Sequence, residues 1–155
     1  MDKNSDTEER MVFRPRFGPD GLIPVVTVDA QSGEVLMHAY MNSEALDLTI
    51  DRGEAVYYSR SRARLWKKGE TSGFTQKVNE ILVDCDQDTL VLRVSVTGGA
   101  TCHTGRRSCF YRRVVKHADA VELEPTNVPV VFDPAAVYGT PDTDRHKQSG
   151  RETPK

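Results

Sequence analysis

Apolar residues recur at every second position over several short stretches of the chain, and clusters of turn residues separate them. "GLIPVVTVDAQSGEVLMHAYM" reads as two strands joined at the turn-rich "AQSG", a hairpin in which Pro24 marks an early or edge position. "EAVYYSRS" has the β-branched and aromatic content of a strand, "TQKVNEILV" alternates, and "TLVLRVSVT" puts Leu90, Leu92, Val94 and Val96 on one face. "SCFYRRVV" is a further strand, followed by the weaker "KHADAVELEP". One stretch predicts a helix. In "NSEALDLTIDRG", Asn42 and Ser43 can cap, the first turn is acidic, and Gly53 terminates. The pattern predicts an α+β fold, mostly antiparallel β-sheet with few helices, whose connectivity beyond neighbouring hairpins is not readable.

Composition adds limits. At 155 residues and 17.3 kDa the chain suits one domain. Residues 1–11 and 139–155 are charged and short of apolar side chains, so both are expected to be disordered tails around a single domain at 12–138. A net charge of -2 gives no global pull toward nucleic acid or membrane, and no run reaches the roughly 18 apolar residues of a membrane helix. A cytoplasmic location is expected, without nucleic-acid or membrane partners.

The chemistry concentrates late in the chain. Cys85, Cys102 and Cys109 are the three cysteines, and an odd count in a reducing compartment favours metal binding or catalysis over disulfides. Three thiolates suit zinc and leave a fourth tetrahedral position open, as catalytic sites do. His103 can act as a nearby acid/base group or serve as a fourth ligand, which would make the site structural. Around Cys85 the chain reads "DCDQD". A calcium-loop reading fails, because Thr89 stands where glycine is needed and Ser95 where glutamate is needed. A polar hairpin turn remains the plain alternative for Asp86 and Asp88. If residues 84–88 stay extended, Asp84, Asp86 and Asp88 share one side and Cys85 takes the other, so hard oxygens would face Mg²⁺ and the thiol would face zinc.

"SRSRARLWKKGETSG" gathers Arg60, Arg62, Arg64, Lys67 and Lys68 in an otherwise slightly acidic protein. Arginine forks and backbone amides near Gly69, Ser72 and Gly73 can hold phosphate, and Trp66 can offer a flat face to a base. The competing explanation is a solvated strand edge kept from aggregating by its charge. His38 reads as a sheet residue.

Together "GETSG", "DCDQD" and "CHTGRRSCFYR", in this order and spacing, resemble the phosphoribosyl-AMP cyclohydrolase family. The likeness extends through "GLIPVVTVDAQSGEVLMHAYMNSEAL" and "YYSRSRARLWKKGE", about residues 13 to 115. It implies a zinc-dependent hydrolase that opens the N1–C6 bond of the adenine ring of 1-(5-phosphoribosyl)-AMP, giving the phosphoribosylformimino-AICAR ribotide in the third step of L-histidine biosynthesis. By this resemblance zinc would be held by Cys85, Cys102 and Cys109, and magnesium by Asp84, Asp86 and Asp88, one ion of each per subunit. It also implies an intertwined homodimer with the active site at the subunit interface, Cys85 of one protomer joining Cys102 and Cys109 of the other. His103 is then the expected proton carrier. Arg60, Arg62, Trp66, Lys67, Gly69, Glu70, Ser72, Arg106 and Arg107 are the expected substrate contacts. The chain ends too soon after residue 115 for the fused pyrophosphohydrolase of some family members, so a separate phosphoribosyl-ATP pyrophosphohydrolase is expected to supply substrate. Two rivals remain: a structural zinc module without catalysis, and a nucleobase deaminase, whose H-x-E and P-C-x-x-C signatures are absent.

Overall fold

The structure, a computed structural model, describes residues 11–139. The expected tails therefore fall outside the described residues, apart from Met11 and Gly139 at their borders. Among the described residues, no helix is long and apolar enough to cross a membrane.

The predicted hairpin forms from β1 (Ile23–Asp29) and β2 (Val35–Met41), paired antiparallel. On β1 the alternation buries Ile23, Val25 and Thr27 completely, the mark of a strand with one face on the core. Pro24 lies early in a strand that is not an edge. It pairs with Tyr40 of β2, and pairing on the other side begins only at Val25, so its missing N–H breaks no ladder bond there. The helix α1 (Ser43–Arg52) starts at Asn42, whose side chain accepts the Ala45 N–H at 2.8 Å, and ends at Gly53 in the left-handed region. Buried Thr49 ties α1 to the next strand, donating to Ala45 O at 2.8 Å and accepting the Val56 N–H at 3.0 Å.

Strands β3 (Val56–Ser59) and β4 (Arg64–Lys67) form a separate hairpin that sets Tyr57 opposite Trp66. Part of the basic segment is thus a strand. Strands β5 (Gln76–Val83) and β6 (Leu90–Val96) are antiparallel, with Leu90, Leu92 and Val94 buried. The main sheet has the order β2-β1-β6-β5, and its central pair, β1 with β6, is parallel. Antiparallel pairing therefore dominates without being universal. Its buried face meets α1 and β3 in a core of Ile23, Val25, Leu36, Met41, Leu46, Tyr57, Leu90, Leu92 and Val94.

Two features differ from the sequence expectation. The strand expected over "SCFYRRVV" begins later: β7 (Arg112–Lys116) pairs with β8 (Val121–Pro125), while Ser108 and Cys109 hydrogen-bond to β2 instead. A second, short helix α2 (Pro134–Tyr138) also forms, capped by Asp133. The β7–β8 hairpin leaves Val114, Val121 and Leu123 exposed. A two-stranded hairpin with nothing against its apolar side chains is marginal by itself.

Candidate active site and metal-binding residues

A cavity of about 600 Å³ opens where β2, the β3–β4 hairpin and the loop before β7 meet, within the usual size for a small-molecule site. The "KGETSG" wall depends on glycine. Gly73 N–H reaches back to Gly69 O at 2.8 Å, and at Gly69, with φ of 86°, a Cβ would run into the backbone of Phe74 and Thr75. The loop therefore folds tightly enough to bring Gly69, Glu70 and Ser72 to the cavity beside Trp66 and Arg62.

The opposite wall is "TCHTGRRSC". Cys102 N–H donates to Arg106 O at 3.0 Å and Gly105 N–H to Cys102 O at 3.0 Å, a tight turn with exposed His103 near its tip. Residues 130–132 strap this turn: Val131 N–H donates to Gly105 O at 2.6 Å, and a Cβ at Gly105 would overlap the Phe132 carbonyl. Cys109 is fixed from β2, its N–H donating to Leu36 O at 2.7 Å, while Ser108 Oγ donates to Val35 O at 2.7 Å. His38, on the next part of β2, also lines the cavity, as does Tyr138 of α2.

The thiols of Cys102 and Cys109 lie together. Burial, and then the neighbouring Cys102, push the Cys109 thiol up to about 12. A thiol so placed keeps its proton at neutral pH unless a cation displaces it. Thr104 Oγ donates to Cys102 Sγ at 3.0 Å, and buried Thr101 Oγ has no hydrogen-bond partner among the described residues. Two soft donors on one wall fit zinc and need a third. Cys85 does not supply it within the chain: it is exposed on the β5–β6 turn and lies outside the cavity wall.

That turn also corrects the extended geometry considered for residues 84–88. Cys85 and Asp86 are in a turn and Gln87 takes a left-handed φ of 61°. Asp84 Oδ1 accepts the N–H groups of Asp88 and Thr89 at 3.0 and 3.1 Å, so the chain curls around its own carboxylate. Convergence comes from the turn, not from a two-residue period. Ligand oxygens of Asp84, Asp86 and Asp88 all lie within 4.8 Å of one another, the one three-residue group of this kind among the described residues. Backbone N–H bonds hold Asp84 below the ordinary carboxylate range against the pull of desolvation, while its hydrogen bond with Asp84 pushes Asp88 up. Crowded hard oxygens of this sort fit a divalent ion such as magnesium.

Of the expected substrate contacts, Arg62, Trp66, Gly69, Glu70 and Ser72 line the cavity with His103. The others are engaged elsewhere in the chain. Arg60 sits 4.1 Å over the Tyr40 ring, Arg106 sits 4.1 Å over the Tyr111 ring, Lys67 pairs with Glu54 at 2.6 Å, and Arg107 pairs with Glu34. Lys68, which is not among the expected contacts although Lys67 is, is the buried member of the pair at 8% exposure and reaches the cavity. No sequence signal set it apart, because β4 ends at Lys67 and Lys68 lies in the turn that follows.

The family model for phosphoribosyl-AMP cyclohydrolase matches residues 37–111, which hold both cavity walls and the carboxylate turn. A relative from Rhodopseudomonas palustris (strain TIE-1), a phosphoribosyl-AMP cyclohydrolase, is 60% identical over 135 residues, 86% of this chain and 89% of its own. The enzyme of the same name from strain BisB18 is 59% identical over 134 residues, 86% of this chain and 91% of its own. That from Sinorhizobium fredii (strain NBRC 101917 / NGR234) is 54% identical over 135 residues, 86% of this chain and 89% of its own. With identity this high over 86% of its length, the chain belongs to the phosphoribosyl-AMP cyclohydrolase family of enzymes.

Proposed function

We propose that the protein hydrolyses the N1–C6 bond of the adenine ring of phosphoribosyl-AMP in histidine biosynthesis, and that it does so with zinc. One observation carries this reading: His103 and Cys109 line the same cavity as Trp66, Arg62 and the Gly69–Ser72 loop. A flat base, a phosphate-bearing ribose and a proton carrier then have places in one site. Cys102 and Cys109 would hold zinc, and Cys85 of a second protomer would complete the set. In favour of that homodimer, Cys85 is exposed and outside its own chain's cavity, and the β7–β8 hairpin displays uncovered apolar side chains. When bound, zinc supplies a Lewis acid that brings the pKa of water toward neutrality.

The chain's own residues do the rest. Trp66 offers its face to the adenine, and Arg62 with the amides of the Gly69–Ser72 loop receives phosphate. His103 moves a proton from the attacking water to N1 as the N1–C6 bond breaks. Asp84, Asp86 and Asp88 hold magnesium, which can offset substrate charge. Thiolate ligands suit the reducing cytoplasm.

Purified protein mixed with phosphoribosyl-AMP is expected to open the ring, followed by ultraviolet absorbance, to lose turnover on chelation and to recover it with zinc. No turnover by zinc-loaded protein would defeat the reading. Turnover that survives full chelation would defeat its zinc component alone.

A further inference from the structure

Lys68 is a buried cation that the reaction outlined above does not use. Its neighbour Lys67 is half-exposed and pairs with Glu54, the ordinary state of a lysine on a strand edge. Lys68 is 8% exposed and, among the described residues, makes no ion pair with any carboxylate. Its Nζ donates to Thr101 O at 2.5 Å, on the residue before Cys102, and the Trp66 ring centre lies 5.5 Å away. Burying an ammonium without a counter-charge is expensive. Glu70 lines the same cavity without pairing with it, and the groups that favour its charged form, against the desolvation that lowers its pKa, are the thiols of Cys109, in that cavity, and Cys102.

We propose that Lys68 is a positioning residue for the metal, supplying the fixed positive charge that allows the neighbouring Cys102 and Cys109 to hold zinc as thiolates. The inference rests on the zinc reading given above. Three thiolates around a divalent ion leave one net negative charge in a partly desolvated site, and one ammonium cancels it. The hydrogen bond to Thr101 O keeps that ammonium at the base of the loop bearing Cys102. Lys68 thereby joins the β4 end of the "KGETSG" wall to the "TCHTGRRSC" wall without touching the reacting atoms. Partners of this kind beyond the ligands typically change metal affinity by roughly 10–100-fold when removed.

The test is zinc affinity of the full-length protein, measured by competition with a chromophoric chelator. Lys68→Met removes charge and hydrogen bond, Lys68→Gln removes the charge but keeps an N–H for Thr101 O, and Lys68→Arg keeps the charge. The expected result is binding about 10–100-fold weaker for Lys68→Met and Lys68→Gln, with Lys68→Arg near the wild-type value. Wild-type affinity in Lys68→Gln would overturn the inference, leaving only a hydrogen-bonding role. Loss in Lys68→Arg equal to that in Lys68→Gln would also overturn it, because shape would then be the cause. If the wild-type protein binds no zinc, the zinc reading falls and the inference with it. Tight wild-type binding with an unchanged Lys68→Gln variant defeats the inference alone.

Discussion

The side-chain carbonyl of Gln87 accepts the backbone N–H of Arg14 at 2.7 Å, across 73 positions of sequence. The same amide donates to Val12 O at 3.1 Å, and the backbone carbonyl of Gln87 accepts Arg16 N–H at 2.7 Å. The segment before β1 is thus pinned to the acidic turn by one buried side chain in a left-handed conformation. Gln87→Ala removes both side-chain bonds and is expected to cost about 1–3 kcal/mol, read as a lower midpoint in urea unfolding. An unchanged midpoint would show that the pin contributes nothing.

Tyr57 links the core to the cavity. Its fully buried hydroxyl lies 2.7 Å from Thr27 Oγ and donates to Gln76 Oε1 at 2.6 Å, while Gln76 Nε2 donates to Sδ of Met37, which lines the cavity. Burial pushes the phenol's pKa above its ordinary value, so it stays neutral. Tyr57→Phe leaves the Thr27 hydroxyl and the Gln76 carbonyl short of a partner. A loss of about 1–3 kcal/mol is expected, with zinc content unchanged; loss of zinc instead would place Tyr57 in the metal site's support.

Asp29 makes stability pH-dependent. Its carboxylate accepts the N–H of Ser32 at 2.7 Å and of Gln31 at 3.1 Å, and the Ser32 bond is the main cause of a pKa below the ordinary 3.8. A folded-state pKa below the unfolded one adds stability above the unfolded value, and this is lost as pH falls through the folded value. Asp29→Asn keeps an acceptor oxygen but no charge. The wild-type protein's stability advantage over this variant is expected near neutral pH and should shrink as pH falls below the unfolded value and through the lower folded one. A constant difference across that range in urea unfolding would contradict the linkage.

His103 separates catalysis from ligation. His103→Ala is expected to keep zinc while slowing ring opening by roughly 10²-fold or more. Zinc content by metal analysis and turnover on the same sample decide the matter. Loss of the metal would make His103 a fourth ligand and the centre a closed one.

Local features of this fold were legible because their causes are local. Asn42 and Gly53 announced α1, and the alternation of Leu90, Leu92 and Val94 announced β6. The parallel pairing of β1 with β6 was not, because alternation reports which face is buried and says nothing about the neighbouring strand. At the site, motif order pointed to the cysteines, the aspartates and His103. A hairpin turn was the plain alternative for Asp86 and Asp88, and one forms; that it would converge all three carboxylates was hidden because Gln87 is an uncommon residue for a left-handed position. Lys68 was hidden because two adjacent lysines look alike until the turn after β4 buries the second. His38, read as a sheet residue, is one, and it also faces the cavity.

The claim that the zinc site is completed by a second protomer meets its sharpest test in subunit complementation. Cys85→Ser and Cys109→Ser proteins are each expected to be inactive with phosphoribosyl-AMP. Co-expressed, they form mixed dimers in which one of the two sites has all three thiols. Random pairing of two chains into two-fold dimers then predicts about one quarter of wild-type turnover. A co-expressed sample that contains mixed dimers yet stays inactive, or a Cys85→Ser protein that alone retains zinc and full turnover, would contradict the shared site.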